Sequence, residues 1–162
     1  FHAMKKQLLI LLLSALCHAP LPAQQIFNEV KTIQQSFLTI KQDRGKPMSE
    51  RKVASFQYDA IEYMLYKGHE DSTFSERQLG NQTIAMTTFV KLYLKRLSET
   101  KNKQKKALVI SRFRMASVNN SLFHDMDKDL AEAYLNNTKF VTPFSLDTDW
   151  EKALAEIRGY DW

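Results

Sequence analysis

Asp59 and Glu62 stand three positions apart, a spacing that puts both carboxylates on one helix face, with Lys52, Ser55 and Tyr66 along the same stripe. Two carboxylates whose pKa values are driven apart by burial can share acid and base work on a glycosidic bond. Acids at this spacing are also routine on a wet helix face, and no second helix offers an obvious partner. The first expectation is therefore no catalytic residue, with Asp59 and Glu62 as the alternative. Two histidines lie beyond the first 23 residues, His69 and His124, and neither belongs to an H-E-x-x-H helix, which excludes a zincin. Asp125-Met126-Asp127-Lys128-Asp129 opens like a calcium loop, but Leu130 and Asn136 occupy the sixth and twelfth positions, where glycine and glutamate are required. Acids crowding a helix N-terminus are the plainer account. No metal ligand and no cofactor are expected. There is no G-x-S-x-G elbow, and only 4 glycines, none in a phosphate-cradling loop.

Charge gives the binding candidates. Residues 24–90 carry 8 basic and 8 acidic side chains. Residues 91–114 carry 9 basic ones and the single acid Glu99, net +8, and residues 115–162 carry 4 basic and 9 acidic ones, net −5. Lys91 and Lys95, near the end of one helix, and Lys101, Lys103, Lys105 and Lys106, around the next turn, are the expected contact residues. They would present a cationic knob to an anionic envelope or extracellular macromolecule, such as lipopolysaccharide, acidic glycan or an acidic protein. The bland reading has the same cations complementing a helix C-terminus and coating a turn. No nucleic-acid motif is present, so nucleic acid is not an expected partner.

Met4-Lys5-Lys6, then Gln7, then the apolar run from Leu8 to Leu13, has the form of a secretory signal peptide. The run is too short for a transmembrane helix, which needs about 20 apolar residues. Phe1-His2-Ala3 read as an expression remnant or upstream translation. Cleavage is expected after Ala23, since cutting after Ala19 would leave Pro20 just past the bond. Cys17 follows Leu16, where a lipobox needs Gly, Ala or Ser, so no lipid anchor is expected. Residues 24–162 then form one exported, soluble domain without cysteine, periplasmic or extracellular, of undetermined oligomeric state. Lys5 and Lys6 leave with the leader, and the formal net charge falls from +5 to +3. Asp71-Ser72-Thr73 resembles the O-glycosylation acceptor of some Gram-negative anaerobes, in an expected loop.

Helical periodicity runs almost throughout. Ile26, Val30, Ile33, Phe37 and Ile40 form one stripe, ended by Gly45-Lys46-Pro47. Ser49 is placed to cap a second helix carrying Val53, Phe56, Ile61, Met64 and Leu65 inward, with Gly68 at its end. Tyr58, Tyr63 and Tyr66, with Phe56 and Phe74, either complete the core or line a groove. A third helix, from a Ser75 cap to Glu99, is apolar on most sides and belongs at the centre. Gly80 within it costs about 1 kcal/mol relative to Ala unless a neighbour packs close. Residues 103–118 form a fourth helix, with Leu108, Val109, Ile110, Phe113, Ala116 and Val118 inward. A short helix over 125–135 and an extended connection over 138–145 follow. Thr148 with Glu151 has the capping-box pattern for a last helix burying Trp150, Leu154 and Ile157. The expected fold is all-α, a compact bundle of five to six helices.

Arg112-Phe113-Arg114 through Asp129-Leu130, and Phe140-Val141-Thr142-Pro143-Phe144-Ser145-Leu146-Asp147-Thr148-Asp149-Trp150, resemble a group of small exported helical proteins from Gram-negative gut and oral anaerobes. The likeness spans most of residues 24–162 and is sharpest over 140–157. It implies export and a helical fold, and carries no catalytic or binding residue. The expected function is binding without catalysis. The alternatives are an enzyme acting on envelope glycan through Asp59 and Glu62, and a structural subunit whose aromatic side chains form an oligomer interface.

Overall fold

The computed structural model describes residues 23–118 and 144–162, and every regular element in them is a helix. These are α1 (Ala23–Gln42), α2 (Met48–Glu70), α3 (Glu76–Glu99), α4 (Lys103–Val118) and α5 (Trp150–Arg158). The expected leader up to residue 22, the helix at 125–135, His124, the acids from Asp125 to Asp129 and most of the expected extended connection lie outside the described residues.

The stripe on α1 packs against α2 and α3. Val30 and Gln34 are buried there, and Ile26, Phe27, Ile33 and Phe37 lie partly buried against the core. α1 ends as the Asp43 carboxylate accepts from the Gly45 N–H at 2.9 Å. Pro47, not Ser49, precedes the first residue of α2, and no side chain caps that end. Proline suits a helix start because its φ is already close to helical and it has no N–H to leave unpaired.

Gly68 does not end α2, which continues to Glu70. Its role is steric: a Cβ there would fall 2.6 Å from Cδ1 of Phe74, whose ring lies against the helix. A bare backbone lets the chain fold back tightly into α3. Ser75 opens α3 with a complete capping box, its hydroxyl accepting from the Gln78 N–H and the Gln78 side chain accepting from the Ser75 N–H. α3 packs against all four other helices, as its all-round apolarity requires. Gly80 also meets its neighbour: a Cβ would lie 3.0 Å from Cγ2 of Ile26, so α1 crosses closely at that point.

α4 buries a narrower stripe than its sequence indicates. Val109, Phe113 and Ala116 are buried, whereas Leu108 and Ile110 are exposed and Val118 is only partly covered. Among the described helices α4 packs chiefly against α3 and α5, which accommodates one face. At α5 the cap is Asp149, whose carboxylate accepts from the Lys152 N–H at 3.2 Å. Thr148 is instead buried, and its hydroxyl donates to the carbonyls of Ser117 at 2.8 Å and Ser145 at 3.0 Å. The bond to Ser117 ties the segment before α5 onto the end of α4.

The core is aromatic. Phe89 on α3 meets Phe113, Phe144 and Trp150 edge to face, with ring centroids at 4.9, 5.1 and 5.4 Å. Phe56 from α2 adds edge contacts to Phe144 and Trp150. Such pairs add about 0.5–1.5 kcal/mol each beyond the area they bury. Burial pushes the Tyr93 phenol, which packs on Phe113 and Phe144, up to about 12.

Candidate functional site

The six candidate lysines gather at one end of the bundle. Lys91 and Lys95 lie on the last turns of α3, Lys101 in the connection, and Lys103, Lys105 and Lys106 on the first turns of α4, all exposed. Lys95 meets Glu99 at 3.8 Å, with both side chains largely in solvent. The turn is held locally. The Thr100 N–H and hydroxyl both donate to the Arg96 carbonyl, and the Asn102 carboxamide oxygen accepts from the N–H groups of Gln104 at 2.8 Å and Lys105 at 3.1 Å.

The helix dipole divides these cations into two sets. Those ending α3 sit where the dipole is negative and are favoured. Lys103, Lys105 and Lys106 sit at the opposite pole, on the first turns of α4, whose first turn carries no acid. Cations there are disfavoured by a few tenths of a kcal/mol each, up to about 1. Dipole complementarity therefore accounts for Lys95 and Arg96 and not for the lysines of α4.

A cleft of about 530 Å³ opens beside these lysines. Arg96, Lys101, Lys105 and Arg112 stand in its wall with Glu99, Leu108, Asp161 and Trp162. The segment after α5 builds the far side. The Arg96 guanidinium lies 4.8 Å from the centre of the Trp162 ring. Arg112 packs on both Tyr160, at 4.6 Å, and Trp162, at 5.3 Å, and donates to the Asp161 carbonyl at 3.0 Å. The Tyr160 hydroxyl donates to Glu156 at 2.9 Å, a bond that raises its pKa above the ordinary phenol value. Charge counting finds Arg96 and Arg112 but cannot show that aromatic rings from a distant segment hold their planes. Trp162 carries no chemical signal of its own in the sequence.

Asp59 and Glu62 do share a face of α2, with different partners. Asp59 is half-buried, and burial raises its pKa from the ordinary aspartate value, opposed by Lys41 from α1 and helped by Glu62. Glu62 is exposed and accepts a hydrogen bond from the Gln34 carboxamide across the α1–α2 seam. Neither carboxylate lines the cleft beside Trp162 or the clefts around Ile84, Leu94 and Tyr160. Phe56 belongs to the core, Tyr58, Tyr63 and Phe74 are partly covered, and Tyr66 is exposed. His69 is exposed near the end of α2. Asp71 folds onto its own turn, its carboxylate accepting from the Thr73 N–H at 2.8 Å and hydroxyl at 2.7 Å, with Ser72 and Thr73 exposed. Among the described residues no three His, Cys, Asp or Glu side chains cluster as metal ligands would, and no helix is long and apolar enough to cross a membrane.

No family model, curated protein or solved structure matches the chain.

Proposed function

We propose that the chain is an exported helical module that acts by binding, and that it engages an anionic envelope or extracellular macromolecule through the surface around the α3–α4 turn. The observation that carries this reading is the placement of Lys103, Lys105 and Lys106 on the first turns of α4, against its dipole. A feature that costs stability is better explained by what it meets outside the fold. Lys91, Lys95 and Lys101 extend the same exposed end, and Arg96 and Arg112 are held beside it by Trp162. The leader-like run from Met4 to Leu13 supports export. A partner outside the cytoplasm is then a glycan, a lipid headgroup or a protein in preference to nucleic acid.

Retention on heparin resin tests it. The wild type is expected to bind at low salt and to elute only at raised salt. Replacing Lys101, Lys103, Lys105 and Lys106 together by Glu should abolish retention with no loss of helical circular dichroism. Flow-through of the wild type at low salt removes the reading.

A further inference from the structure

The cleft beside Trp162 has a wall that a plain cationic patch lacks. Four cations, Arg96, Lys101, Lys105 and Arg112, share it with two acids, Glu99 and Asp161. A bare oxyanion gains nothing from carboxylates in its site, whereas sugar hydroxyls donate to carboxylates and accept from cations. Trp162 and Leu108 stand in the same wall, 41% and 48% exposed, and offer the apolar C–H groups of a pyranose the surface that Arg96, Arg112 and Phe113 leave open. The guanidinium planes of Arg96 and Arg112 lie on aromatic rings, which fixes them; Arg112 spends one N–H on the Asp161 carbonyl, and the other edge N–H groups of the pair are left to grip an anionic substituent. At about 530 Å³ the cleft exceeds the needs of a single ion and falls in the range of small-molecule sites.

We propose that this cleft binds a short acidic saccharide, with a ring against Trp162 and Leu108 and its anionic groups on Arg96, Arg112, Lys101 and Lys105. The assignment rests on the reading of this end of the bundle as the contact surface, and narrows its partner from any polyanion to a glycan.

The chain has two tryptophans, and Trp150 is completely buried, so a change in emission on adding saccharide reports Trp162. A heparin-derived tetrasaccharide and trigalacturonate would each be titrated into the full chain, followed by fluorescence and calorimetry, with poly-glutamate as the acidic-peptide control. One of the two saccharides is expected to give a saturable emission change and to bind more tightly than poly-glutamate. Trp162→Leu should weaken its calorimetric affinity about tenfold. The paired surface change Lys101→Ala with Lys105→Ala, which touches no core residue, should weaken it by a similar factor. Absence of a saturable response to both saccharides overturns the proposal, as does poly-glutamate binding equally well or an undiminished affinity in both variants. Wild-type retention on heparin resin alongside any of these results retires the cleft alone. Flow-through of the wild type retires the wider surface with it.

Discussion

Asp59 shows how burial and charge compete at a single side chain. Partial burial on α2 raises its pKa, Lys41 across the α1–α2 seam lowers it, and Glu62 one turn away raises it again. The balance is upward, so the folded chain holds the Asp59 proton more tightly than the unfolded chain. The stability linked to that proton is complete below the unfolded pKa and is lost as pH climbs through the folded one. Asp59→Asn, which never ionises, should therefore melt above the wild type at pH 7 and converge with it below about pH 4. Thermal melts followed by circular dichroism at the two pH values check this. A variant that melts below the wild type at pH 7 would mean that the attraction to Lys41 outweighs the burial. The i, i+3 spacing of Asp59 and Glu62 was legible in the sequence. Their differing partners were not, because Gln34 and Lys41 reach them from another helix.

Between elements, the lock that seats α5 is Gln82. This buried α3 side chain donates to the Asp149 carboxylate at 3.0 Å and accepts from the Trp150 N–H at 2.6 Å. It thereby satisfies one of the donors that every helix start leaves without an internal partner. Gln82→Leu keeps the bulk and removes these bonds together with a longer one to Glu151 at 3.4 Å, and should cost about 1–3 kcal/mol in urea unfolding with an unchanged dependence on denaturant. A loss under about 0.5 kcal/mol would show that α5 is seated by its apolar face alone. The existence of the five described helices was readable from residue types, and so was Ser75 as the cap of α3, though not the reciprocal bond with Gln78. The error at Gly68 has a physical cause, since glycine marks both helix ends and close approaches, and only the position of Phe74 separates the two. At Thr148 a local capping pattern yielded to a tertiary bond with Ser117 and a short-range one with Ser145, leaving Asp149 to cap.

For the molecule as a whole, residues 24–162 contain no cysteine, so their stability comes from packing without a covalent staple. Reductant should move the thermal midpoint by less than about 2 °C, a fraction of a kcal/mol for a domain of this size. A larger shift would reveal a bond through Cys17. Helical periodicity determined the all-α class, and the all-round apolarity of α3 determined which helix lies at the centre, because both follow from the side chains of single segments. Charge counting likewise located the cationic stretch. The sequence alone draws the inward face of α4 too wide, placing Leu108, Ile110 and Val118 inward beside Val109, Phe113 and Ala116, since the unbroken apolar run from Ala107 to Ile110 fits several rotations of the helix. Only its packing against α3 and α5 selects Val109 and Phe113 and leaves Leu108 at the cleft. The cleft itself belongs wholly to the tertiary structure. Arg112 and Trp162 lie far apart in the chain, and no local pattern encodes the fold that brings a ring and a guanidinium together there.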